Sequence, residues 1–179
     1  MKTTRKPTAN KTTRTKRPAR TPAKSRRPKL KIKRILVPLD FSEHAEKALH
    51  YAVKFAEQFD ARIDLVSVVE PVIYAEGMAF PAGAGNPDEN SVQESGKALR
   101  ELAEREIPDD LSWKALVRRG NPYAEIIDTA RDQKTELLII TTHGRTGLTH
   151  FLIGSTAEKI VRHAPCPVLV VRDKEHDFI

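Results

Sequence analysis

The sequence predicts an α/β domain on one doubly wound, five-stranded parallel sheet with helices on both faces. Two observations lead there. Short runs rich in Ile, Leu and Val alternate with longer segments whose apolar residues recur at i, i+3, i+4 and i+7. One of those runs, Leu137-Leu138-Ile139-Ile140, is apolar on both faces, as a central parallel strand requires. Strands alternating with helices imply βαβ units and right-handed crossovers.

Taken in order, Ile35-Leu36-Val37-Pro38-Leu39 reads as a first buried strand ending at Asp40. Ser42 then caps a helix with Ala45, Ala48, Leu49, Ala52, Val53 and Ala56 on its inner face. A short turn around Asp60 leads to a second strand, Ile63 to Val69. Residues 70–90 carry Pro71, Gly77, Pro81, Gly83, Gly85 and Pro87 and predict a long flexible loop. A helix from about Asn90 to Glu106 shows Leu99, Leu102 and Ala103 on one side, and Trp113 to Val117 is the third strand. Asn121-Pro122 supplies a cap followed by proline at the first helical position, opening a helix that buries Tyr123, Ile126, Ile127 and Ala130. The fourth strand follows at Leu137. A helix from Ser155 presents Ala157, Ile160, Val161 and Ala164, and Val168 to Val171 is the fifth strand.

Charge divides the chain more sharply than hydropathy does. Residues 1–34 hold 15 Lys and Arg and no acid, whereas the remainder holds 16 against 24 Asp and Glu, a balance of −8. The reading is a disordered Lys/Arg/Pro-rich tail over 1–30, a domain over 31–173 and a short tail over 174–179. The first segment has nothing apolar to offset its ordering entropy. Its prolines at 7, 18, 22 and 28 argue against the amphipathic helix of an organellar transit peptide. Cys166 is the only cysteine, so there is no intrachain disulfide, and a reducing cytoplasmic setting fits. No apolar run approaches the roughly 18 residues that cross a bilayer.

In open parallel sheets, ligands bind beyond the carboxyl ends of strands where the strand order reverses. Strands one and four are the expected neighbours there, ending in Pro38-Leu39-Asp40 and Thr141-Thr142-His143-Gly144. The loop from Gly144 to Gly154 returns to the last helix. Its glycines let backbone N–H groups approach phosphate oxygens, and the helix N-terminus adds donors and about half a positive charge. Ser155 and Thr156 offer hydroxyls, and Arg145 a guanidinium. Neither G-x-x-x-x-G-K-[ST] nor G-x-G-x-x-G after the first strand is present.

Here the chain resembles the universal stress protein family in its nucleotide-binding branch. Of the family's G-x2-G-x9-G-[ST] motif, Gly144, nine intervening residues and Gly154-Ser155 match, and Thr141 stands in place of the first glycine. The segments Ile35 to Ser42, Thr142 to Leu148 and His163-Ala164-Pro165-Cys166-Pro167-Val168-Leu169-Val170-Val171 extend the resemblance over residues 33–172. It implies a Rossmann-like fold, of the kind shared with adenine nucleotide alpha hydrolases, that usually dimerises. It implies ATP or a related adenine nucleotide as ligand; Mg2+ carried by that nucleotide, met through Asp40, is a separate expectation from the residues. Pro38, Leu39, Asp40 and Val68 would line the adenosine part. Ile140, Thr141, His143, Gly144 and Arg145 would pass beside ribose and phosphates, which Gly154, Ser155 and Thr156 would hold. A threonine Cβ at 141 is expected to narrow the pocket.

Several residues carry a second reading. Asp40 either accepts bonds from the ligand or caps its own turn. Ser155-Thr156-Ala157-Glu158 has the S-x-x-E form of a capping box, which would employ the hydroxyl structurally. His143 either orients the loop or acts as an acid/base, and the six histidines show no metal-ligand spacing. The resulting expectation is a regulatory, stress-linked nucleotide-binding protein with slow or no turnover. It pairs as a homodimer through the strand Val168–Val171, an edge open to a second copy. The alternatives are a nucleic-acid-associated protein acting through residues 1–34, and a true nucleotide hydrolase using His143.

Overall fold

The computed structural model describes residues 30–71, 87–142 and 154–172. The elements in chain order are β1 (Arg34–Pro38), α1 (Glu43–Phe59), β2 (Arg62–Val69), α2 (Pro87–Glu106), β3 (Trp113–Arg119), α3 (Pro122–Asp132), β4 (Leu137–Thr141), α4 (Ser155–His163) and β5 (Val168–Val171). The strands form one parallel sheet in the order β3-β2-β1-β4-β5. The doubly wound α/β fold read from the sequence is the fold of the chain. The described residues from Lys31 onward make up one compact unit. The expectations for the basic tail and for most of the 70–90 loop lie outside the described residues.

Alternation along the strands builds two apolar layers. Ile35, Val37, Ile63, Leu65 and Ile139 face α1 and α2, meeting Ala45, Ala48, Leu49 and Ala52 of the first and Leu99, Leu102 and Ala103 of the second. Leu36, Val66, Leu138 and Ile140 face the other way, against Ile126, Ile127 and Ala130 of α3 and Ala157 and Ile160 of α4. Burying each large aliphatic side chain contributes about 1.5–3 kcal/mol. These layers therefore fix which way the carboxyl ends of β1 and β4 point.

The helix ends follow local chemistry. Ser42 Oγ accepts from the Ala45 N–H at 3.3 Å, and Asn121 Oδ1 from the Ala124 N–H at 3.3 Å with Pro122 beginning the helix. Asp60 closes α1 in the left-handed region at φ 53°, its N–H donating to Ala56 O. Several boundaries differ from the sequence reading, β1 running Arg34–Pro38 and β4 ending at Thr141. α2 starts at Pro87, where proline's fixed φ and missing donor suit a first turn. β3 continues through Arg119, because α3 offers Arg118 acceptors: its Nε donates to Thr129 Oγ1 at 3.1 Å and its Nη2 to Asp132 Oδ2 at 3.3 Å. β2 also begins one residue early and includes a fully buried Asp64. Arg62 sits on the same face of the strand, with Nε 2.8 Å from Asp64 Oδ1 and Nη2 2.8 Å from Oδ2. The pair removes the cost of an isolated buried charge.

Candidate functional site

β1 lies between β2 and β4, with Ile35 opposite Leu137 and Leu36 opposite Leu138. The chain leaves β1 toward β2 on one side and returns to β4 on the other. Their carboxyl ends consequently flank the crevice where an open α/β sheet binds ligands. Backbone bonds hold its walls. Leu39 N–H donates to Val66 O at 2.8 Å and Thr142 N–H to Val171 O at 3.2 Å. Thr142 O in turn accepts from Gly154 N–H at 2.9 Å. That bond draws the start of α4 down onto the end of β4.

The close approach at Gly154 favours glycine. A Cβ there would lie 3.1 Å from Thr142 O, a backbone atom that cannot swing aside. Gly154 is itself the N-cap of α4, at φ −56° and ψ 146° and with no side chain to satisfy the first turn. The intrahelical ladder begins with Glu158 N–H donating to Gly154 O at 2.9 Å. The N–H groups of Ser155, Thr156 and Ala157 precede it, at the positive end of the helix dipole.

This geometry corrects two expectations. Ser155-Thr156-Ala157-Glu158 is not a capping box, because the Gly154–Thr142 bond makes Gly154 the cap and moves Ser155 to the first helical position. Gly154 also spends its own N–H on Thr142, which leaves the three following amides as the donors for an anion. Ser155 and Thr156 are both exposed beside them.

On the β1 side, Asp40 holds its own turn. Its Oδ1 accepts from Ser42 N–H at 3.1 Å and from Ser42 Oγ at 2.6 Å, so the turn-capping role is realised. Between them Phe41 sits at φ 62°, an uncommon conformation for a bulky residue and one that concentrates at ligand-binding turns. Pro38 and Ile140 lie on the sheet face that carries α3 and α4, and Val68 packs against the same layer. Leu39 is 3% exposed in the opposite layer, so its side chain belongs to the core and only its backbone reaches the crevice.

Thr141 ends β4 opposite Val171 in ordinary strand geometry, and it is not among the residues with positive φ. By alternation it shares the α1-facing side with Ile139, whereas α4 packs on the other face. Its branched Cβ does not stand between β4 and the amino end of α4. His143, Gly144 and Arg145 lie outside the described residues. Sequence reasoning left out Phe41 and undervalued Thr142, which is buried and tied through its backbone to both β5 and Gly154. Neither residue type signals such a role.

Cys166 is half-buried, and desolvation pushes its thiol up, outweighing a backbone hydrogen bond involving Leu138. It is held in the protonated, poorly nucleophilic form at neutral pH. Among the described residues, no group of three His, Cys, Asp or Glu is placed to hold a metal ion, and no helix is long and apolar enough to cross a membrane.

The family model of the universal stress proteins matches residues 31–172. A universal stress protein of Methanocaldococcus jannaschii is 31% identical over 142 residues, 78% of this chain and 82% of the relative. The solved structure of the universal stress protein UspA from Lactobacillus plantarum superposes with a TM-score of 0.66 at 26% identity, covering 80% of this chain and all of that one. Two more distant structures share the fold. One is a universal stress protein in complex with cAMP, at TM-score 0.58, 16% identity and coverage of 80% and 98%. The other, from Archaeoglobus fulgidus in complex with dAMP, has TM-score 0.54, 17% identity and coverage of 79% and 98%. With the sheet order, the reversal at β1 and β4 and the glycine contact at α4 all in place, the chain belongs to the universal stress protein family.

Proposed function

We propose that this protein binds an adenine nucleotide, ATP with Mg2+ at its phosphates, as a regulatory component of a stress response in the cytoplasm. Turnover is slow or absent. The observation that carries the reading is Gly154, pressed against Thr142 O so that a Cβ would fill the gap, opening α4 toward the crevice. Three amide donors and the helix dipole there suit phosphate oxygens. Pro38, Val68 and Ile140 supply an apolar wall for the base, and the relatives solved with cAMP and dAMP support the adenine class. Asp40 stands at the mouth, positioned to meet a ribose hydroxyl or the Mg2+ of the nucleotide. Gly144, Arg145 and His143 complete the phosphate side in this proposal. Ser155 hydroxyl, released from capping, joins them. A homodimer through β5 is part of the same proposal.

Melting the full chain with and without ATP and Mg2+ tests it. A ligand at a hundredfold excess over Kd adds about 2.7 kcal/mol of stability. For a chain of this size that amounts to a rise of roughly 5–10 °C. Gly154→Val removes the shift by lifting α4 off Thr142. Thr156→Glu removes it by a second route, since an acid in a first turn suits the helix but repels phosphate. Absence of any shift at millimolar ATP, or a full shift in Thr156→Glu, overturns the proposal.

A further inference from the structure

We propose that residues 1–34 form a nucleic-acid-binding arm that grips the phosphate backbone without regard to base sequence. Fifteen Lys and Arg and no acid occupy this segment, while the remaining residues carry a balance of −8. The folded body repels a polyanion, and the arm must supply all the attraction. Seven of its cations are arginines, whose planar guanidinium can meet phosphate oxygens in pairs. Seven threonines and Ser25 are interspersed, adding neutral donors of the kind that make phosphate contacts. There is no Phe, Tyr or Trp to stack on bases. There is also no large apolar side chain between Met1 and Leu30. Durable membrane attachment needs a second, apolar signal beside a basic run, so nucleic acid is the better fit.

The described residues begin at Leu30. Leu30 is 73% exposed, whereas Ile32 is buried in the α1-facing layer and anchors the chain. Glu136 Oε2 accepts from the N–H groups of Lys33 at 2.6 Å and Arg34 at 3.1 Å, fixing the entry into β1. Lys33 Nζ is 2.7 Å from Asp60 Oδ2, and Arg62 is paired with buried Asp64, so both are neutralised where they stand. Lys31 is exposed, whereas the Arg34 Nε is buried at the start of β1. Gly154 and the crevice lie at the carboxyl end, a strand of five residues or about 17 Å away.

The full chain is titrated into two unrelated 30-base-pair duplexes, followed by fluorescence anisotropy between 50 and 200 mM salt. Six phosphate contacts give a log–log slope near −5 and roughly a thousandfold loss of affinity over that range. The full-length variant Arg14→Gln/Arg17→Gln/Arg20→Gln/Arg26→Gln is expected to flatten the slope by about 3.6, at about 0.9 per phosphate contact. Its melting temperature and its response to ATP stay those of the parent, which separates failure here from failure of the nucleotide proposal. Four outcomes overturn the inference: no binding at 50 mM salt, an unchanged slope in the variant, a tenfold preference between the duplexes, or tighter binding to phosphatidylserine vesicles than to DNA.

Discussion

At the scale of single residues, two serines after strand ends serve different purposes. Ser42 accepts from Ala45 N–H and donates to Asp40 Oδ1, so it holds both a helix and a turn. Ser155 occupies the first helical position behind Gly154, and its hydroxyl caps nothing. Ser42→Ala should cost about 1 kcal/mol or more of unfolding free energy, the usual loss for a capping oxygen. Ser155→Ala should change it by less than about 0.5 kcal/mol, as exposed substitutions do, while weakening ATP binding. Urea denaturation of the two variants checks the contrast. A loss near 1 kcal/mol in Ser155→Ala would restore the capping box. The misreading has a physical origin. The S-x-x-E spacing is a local pattern, but the choice of cap is made by the carbonyl of Thr142, which only the fold brings to Gly154. The same holds for Asp64, acceptable in a buried strand only because Arg62 shares its face.

At the scale of elements, most boundaries were legible because amphipathic periodicity and capping chemistry are local signals. Ser42 and Asn121 cap as read, and β5 spans Val168–Val171 as read. What the periodicity could not give is how α1 and α2 grip each other outside the apolar layer. Arg105 Nε lies 2.6 Å from Glu106 Oε1 and its Nη2 3.2 Å from Glu46 Oε1, while His50 Nε2 lies 2.9 Å from Glu106 Oε2. Arg105 and then His50 hold the Glu106 carboxyl below its ordinary value of 4.5. A carboxylate depressed in the folded state stabilises above its unfolded value, and that contribution disappears as pH falls through the folded one. Glu106→Gln should therefore be less stable than the parent at pH 7, by under about 1 kcal/mol for so exposed a network. The two should converge below pH 4.5. Urea midpoints from pH 7 to pH 3 measure this, and a constant difference across the range contradicts it.

At the scale of the whole molecule, the sheet leaves β5 at one end of its order, and the backbone shows which groups it offers. Pro167 O accepts from Leu138 N–H at 3.0 Å and Val171 O from Thr142 N–H at 3.2 Å, both toward β4. A strand residue directs its N–H and C=O to the same side, and that side alternates. Val168 and Val170 thus turn their peptide groups to the open edge. A second copy pairing there would satisfy them and remove an exposed strand edge. It would also bring two basic arms into one particle, raising avidity for a polyanion through effective concentration. Val170→Pro deletes one outward donor while leaving the β4 ladder intact, a substitution that edge positions tolerate. The parent is expected to sediment as a dimer and Val170→Pro as a folded monomer, judged by an unchanged far-ultraviolet circular dichroism spectrum. The monomer should also bind the duplex DNA at least tenfold more weakly at 50 mM salt. A monomeric parent at micromolar concentration places the pairing surface elsewhere or removes it. A dimeric Val170→Pro shows that β5 is not that surface.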